Sequence, residues 1–89
     1  MDLRTHLDGL PRGGIAPLAQ RLGISTVYLL QIAARQGGRE AKPELCVRIE
    51  GETCGDVRRW DLRPSDWWLI WPELRDADGH PPIPEPQAA

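Results

Sequence analysis

The chain has 89 residues and a formal net charge of −2, enough for one small domain with a thin core and too few for two, so an elaborate catalytic cleft is not expected. No stretch approaches the roughly 18 apolar residues that a membrane span requires. The opening Met-Asp-Leu-Arg-Thr-His-Leu lacks the apolar run and small-residue cleavage site of a secretory signal, and the expectation is a cytoplasmic protein without a membrane partner.

Leu3, Leu7 and Leu10 recur at helical spacing behind Asp2, which can cap a first helix closed by Pro11. Arg12-Gly13-Gly14 makes a flexible joint. Ile15, Leu18, Ala19 and Leu22 then share one face of a second helix, with Gly14 as N-cap. Pro17 falls in its first turn, where the missing N–H has no helical partner. Gly23 can take the left-handed conformation that closes this helix. Ser25 is a good N-cap for a third helix over residues 25–35, and Ile24 is placed to staple onto Leu29. Leu29, Ile32 and Ala33 form its inward face, while Thr26, Val27, Gln31 and Ala34 point elsewhere.

Gly37-Gly38 ends the third helix, and Pro43 opens a fourth with Cys46 and Ile49 inward, running to about Gly55. Residues 57–62 alternate as an extended segment or short strand does. Pro64 can begin a last short helix in which Trp67, Ile70, Trp71 and Leu74 share a face. From Asp76 onward almost nothing is available to bury, which predicts a disordered Pro-rich tail. The expected organisation is an all-α domain over residues 1–75, a bundle of four to five helices with or without one short extended segment, followed by a tail at 76–89.

Cys46 and Cys54 are the only cysteines. Without a secretory context they are expected to be reduced, and with only the distant His6 and His80 beside them they do not make a metal site. No nucleophile stands beside a base, and neither paired carboxylates in an apolar setting nor a phosphate loop is present, so no enzyme activity and no cofactor are expected.

The net charge conceals a polarised chain. Residues 12–42 carry Arg12, Arg21, Arg35, Arg39 and Lys42 against the single carboxylate Glu40, and residues 61–89 are acidic. The basic block holds the second and third helices. There Leu18, Ala19, Leu22, Gly23, Ile24, Leu29 and Ile32 fit a helix-turn-helix: a small residue where two helices cross, a glycine at the turn, and aliphatic residues that lock the crossing. Such packing projects the third helix outward as a rod that fits a DNA major groove.

The run from Leu18 to Ile32 resembles the helix-turn-helix of the Cro and CI repressor family. More narrowly, Leu10-Pro11-Arg12-Gly13-Gly14, Pro43-Glu44-Leu45, Asp61-Leu62-Arg63-Pro64 and Ile70-Trp71-Pro72-Glu73-Leu74 resemble the YdaS-like antitoxins, small Cro-type regulators of prophages. The resemblance spans residues 2–74. It implies a lambda-repressor-like fold and places base contacts on Ser25, Thr26, Val27 and Gln31. The chemistry agrees: Gln31 can pair with adenine N6 and N7, the hydroxyls of Ser25 and Thr26 can bond bases or phosphates, and methyls of Val27 or Thr26 can touch a thymine methyl.

Arg12, Arg21, Arg35, Arg39 and Lys42 are the candidate phosphate contacts, helped by N–H groups at the start of the second helix around Gly14. Tyr28 lies at the border of groove and core, where either a phosphate contact or simple packing fits. Trp67 and Trp71 are expected to cap the bundle. Trp68 faces the other way and, with residues 57–62, is the candidate dimer or partner contact. Two functions follow: a sequence-specific, double-stranded DNA-binding transcriptional regulator acting as a homodimer, or an antitoxin that neutralises a toxin and autoregulates its operon.

Overall fold

Asp2 begins the first helix by accepting the Thr5 N–H on Oδ1 at 2.7 Å, in a computed structural model that describes residues 1–83. That bond holds the Asp2 carboxyl below the usual aspartate range. The helix, α1 (Leu3–Asp8), buries Leu3 and Leu7. After the Pro-Arg-Gly-Gly joint, α2 (Ile15–Leu22) buries Leu18, Ala19 and Leu22, as the spacing predicts. Gly23 closes it with φ 74°. Its N–H bonds Gln20 O and the Ile24 N–H bonds Ala19 O, each at 3.1 Å, the paired bonds of a Schellman turn.

Gly23 is open on the side where a Cβ would point, its nearest neighbour there being Arg48 Nη1 at 4.0 Å. The glycine is therefore required by backbone conformation rather than by space. Gly23→Ala should cost about 1–2 kcal/mol, read as a lower urea midpoint with an unchanged slope. A variant as stable as the parent would contradict this account of the turn.

Ser25 Oγ accepts the Tyr28 N–H at 3.0 Å and starts α3 (Thr26–Ala33), which buries Leu29 and Ile32. The helix ends at Ala33, short of the expected 35. Arg35 takes the left-handed conformation at φ 50°, followed by a 3₁₀ turn over Gln36–Gly38. The Arg35 guanidinium bonds Asp61 O at 2.9 Å and Glu40 Oε2 at 3.3 Å, contacts that hold this bend.

Pro43 opens α4 (Pro43–Glu52), with Leu45, Cys46 and Ile49 buried. Lys42 supplies no side-chain cap. The preceding loop is anchored from below: the carbonyl of buried Ala41 accepts from Arg63 Nη1 at 2.9 Å, and Arg63 is clasped by both oxygens of Asp66 at 2.8 and 3.0 Å. α4 stops before Gly55 because Thr53 ends it; the buried hydroxyl donates back to Ile49 O at 2.7 Å and accepts the Val57 N–H at 3.2 Å.

Residues 57–62 are not extended. Arg59–Leu62 is a helix, α5. Carboxylates take the backbone donors that a lone strand would leave open: Asp61 Oδ2 accepts the Arg58 N–H at 2.9 Å and Glu50 Oε2 accepts the Arg59 N–H at 3.2 Å. The last helix, α6 (Trp67–Ile70), starts at Trp67 rather than at Pro64, and a 3₁₀ segment follows over Pro72–Asp76. The described residues thus form the expected all-α bundle, with six α-helices rather than four or five and with no strand.

α2 packs on both α3 and α4, and α4 on α5. The Trp-rich end closes the core. Trp67 is fully buried and meets Trp60 and Trp68 edge-on, with ring centroids 5.6 and 5.8 Å apart, pairs worth about 0.5–1.5 kcal/mol each beyond area burial. Arg59 lies over the Trp71 ring at 5.3 Å, its Nε 3.4 Å from Glu50 Oε1 in an ion pair without hydrogen-bond geometry. Packing continues past residue 75: Ala77 and Ile83 lie against the core and the His80 ring is 5.6 Å from that of Trp67. The remainder of the expected tail, 84–89, lies outside the described residues.

The two thiols differ. Cys54 is exposed, whereas Cys46 is buried, donates to Ala41 O at 3.4 Å, and is pushed by burial up to about 11. A thiol reagent at pH 8 should titrate one cysteine in the folded protein and two in denaturant. Two fast-reacting thiols in the native state would contradict the burial of Cys46. Among the described residues no helix is long and apolar enough to cross a membrane.

Candidate nucleic-acid interface

With Leu29 and Ile32 turned into the core, α3 leaves the opposite side of the helix uncovered. Val27 is 63% exposed and Leu30 44% exposed. Together with Gln31, Ala34 and Gln36 they line one shallow recess. Val27, Leu30, Gln31 and Ala34 recur at the spacing of neighbours on one helix face. Of the expected base contacts, Val27 and Gln31 therefore share the recess, while Ser25 and Thr26 stand at the start of α3. Ser25 Oγ is engaged as an acceptor by its cap bond and keeps its own O–H to donate. Thr26 is half-buried.

Gln31 is not a free surface amide. Its Oε1 accepts from Arg39 Nη1 at 2.7 Å, so the loop after α3 folds back onto the exposed face. Arg39, expected to hold a phosphate, stands instead beside the candidate base-reading residue.

The other cations separate into two sets. Arg21 bonds Glu52 Oε2 at 3.0 Å, tying α2 to α4. Arg35 serves the bend after α3 through Glu40 and Asp61. A phosphate at either position has to displace these partners. Arg12, Lys42 and Arg48 have no carboxylate within ion-pair distance among the described residues. Lys42 and Arg48 share a recess with Ile24, Tyr28, Glu44 and Leu45. Tyr28 is half-buried and packed on the core, its ring bordering this cationic recess.

Sequence reasoning missed Arg48 and Leu30. Arg48 is far from the turn along the chain, yet its guanidinium reaches the Gly23 side of it. Leu30 falls between the two inward positions Leu29 and Ile32, and a helical wheel would have separated it from them. Gly14 is also placed differently from expectation: its own N–H donates to Pro11 O at 2.9 Å and so is not available to an anion. A Cβ there would sit 3.0 Å from Pro11 O and 3.2 Å from Leu10 Cβ, which accounts for the glycine by space.

The apolar residues of the 57–62 dimer candidate are covered within the protomer, and Trp68 is covered in part. Val57, Trp60 and Leu62 are buried, and half-buried Trp68 leans on Trp67. The exposed apolar side chain of α6 is Leu69, at 65%. No protein-family model matches the chain, and no curated protein does.

Proposed function

We propose that the chain is a sequence-specific, double-stranded DNA-binding regulator of the Cro and repressor type, reading the major groove with α3. One observation carries this reading. α2, the left-handed Gly23 and the Ser25-capped α3 form a unit whose outer face is uncovered and flanked by Lys42 and Arg48, which have no carboxylate within ion-pair distance among the described residues. In this reading the recess of Val27, Leu30, Gln31 and Ala34 meets base edges, Lys42 and Arg48 hold phosphates beside the start of α3, and Arg12 holds one near the start of α2. Two copies on half-sites about 34 Å apart would make the site long enough to be selective. Arg21 and Arg35 act through the fold.

The test is backbone amide shift mapping on titration with duplex DNA. The expected perturbations cluster on residues 24–31 and 39–48 and weaken as salt rises. Perturbations confined to α6, or none at all, would contradict the reading.

Exposed Leu69 beside Trp68 favours a second reading, in which the chain is an antitoxin of the YdaS-like kind and holds a toxin through α6. DNA binding then serves autoregulation. Leu69→Asp should abolish toxin binding and leave DNA binding intact.

A further inference from the structure

α3 has no charged residue between Thr26 and Ala33, which is unusual for a helix that faces phosphates on both sides of a groove. Its outward stripe is instead mostly aliphatic. Of the side chains of Val27, Leu30, Gln31 and Ala34, only Gln31 carries hydrogen-bonding atoms, and one of the two lone pairs of its oxygen is engaged by Arg39. The adenine pairing that glutamine usually offers needs this oxygen to accept from N6 while the amide nitrogen donates to N7. Here Arg39 holds the oxygen on one side, so the face offers the donors of the Gln31 amide and of the Arg39 guanidinium beside a single remaining lone pair.

A face that combines methyl-sized apolar surface with donors is complementary to one base. Thymine presents both a C5-methyl and the O4 acceptor in the major groove, whereas cytosine presents an N4 donor and no methyl, and adenine presents an N6 donor. From Val27 to Ala34 the stripe advances about 10 Å at 1.5 Å per residue. That distance covers about three base steps at 3.4 Å each.

Resting on the DNA-binding reading above, we propose that α3 is a methyl reader: Val27, Leu30 and Ala34 take up the C5-methyl groups of a short thymine run, with Gln31 and Arg39 donating to O4 or to purine N7 alongside. Lys42 and Arg48, which outnumber the one carboxylate of their recess, Glu44, and form no ion pair among the described residues, complement the phosphates of the same duplex, which argues for nucleic acid rather than an apolar peptide as the occupant.

The test removes the methyls without touching the protein. A duplex selected by the wild-type chain from a random pool is resynthesised with deoxyuridine in place of thymidine, one position at a time and then throughout the run. Base pairing is unchanged. Affinity should fall about fourfold per methyl facing the stripe, the equivalent of about 0.8 kcal/mol per buried methyl-sized group. Leu30→Ala should weaken the thymine duplex while binding the uracil duplex as the parent does, so that the two losses do not add. Equal affinity for thymine and uracil duplexes would overturn the methyl reading and leave DNA binding standing. Failure to bind any duplex would overturn both.

Discussion

Two adjacent leucines should respond oppositely to truncation. Leu29→Ala should cost about 2–5 kcal/mol of folding free energy, because Leu29 has no exposed surface and lies in one cluster with Leu18, Leu22 and Ile49. In a domain this small that is a large share of a total stability of about 5–15 kcal/mol. Leu30→Ala should change stability by no more than about 0.5 kcal/mol, because Leu30 lies on the uncovered side of α3. Urea denaturation followed by circular dichroism separates the two. Equal losses would show that α3 does not present the two faces described. The pair also separates fold from function, since the stable Leu30 variant is the one expected to lose discrimination between thymine and uracil.

The second large effect concerns charge. A chain with a net charge of −2 binds DNA only if its cations are placed locally, and Lys42 and Arg48 are the pair placed beside the start of α3. Replacing both with Ala should weaken selected and random duplexes alike and reduce the slope of log K against log salt by about two units. Arg21→Ala should leave the slope near that of the parent, because Arg21 is committed to Glu52 across the α2–α4 contact. An exposed pair of that kind contributes only about 0–1 kcal/mol to stability, so this variant should remain folded. A slope that responds to Arg21 and not to Lys42 and Arg48 would reverse the division of the cations.

How far the sequence foretold the structure depended on whether the determining contact was local. The α2–turn–α3 unit was legible because its signals lie next to one another: apolar positions at helical spacing, a glycine where φ must be positive, and Ser25 three residues before the N–H it caps. The Trp-rich closure was legible in outline, since few other residues could fill that end of the core.

What was missed depended on distant partners. The alternation of residues 57–62 fits an extended segment or short strand without deciding it, and residues 59–62 fold as α5, with Glu50, nine residues earlier, accepting the Arg59 N–H. α3 stops at Ala33 because Arg35 reaches Asp61, 26 residues on. Arg35 is a phosphate candidate by its place in the sequence but is occupied by the fold, whereas Arg48, distant along the chain, is brought by the fold to the turn. Gln31 was read as a free amide because its partner lies eight residues away across a bend.

The most direct test of the central claim is selection from a random pool of duplex DNA at fixed salt, followed by affinity measurement on the winners. The account predicts a common enriched motif, rich in thymine on one strand, bound at least about 10³-fold more tightly than the unselected pool. A folded protein that enriches no motif and binds selected and unselected DNA equally would contradict it.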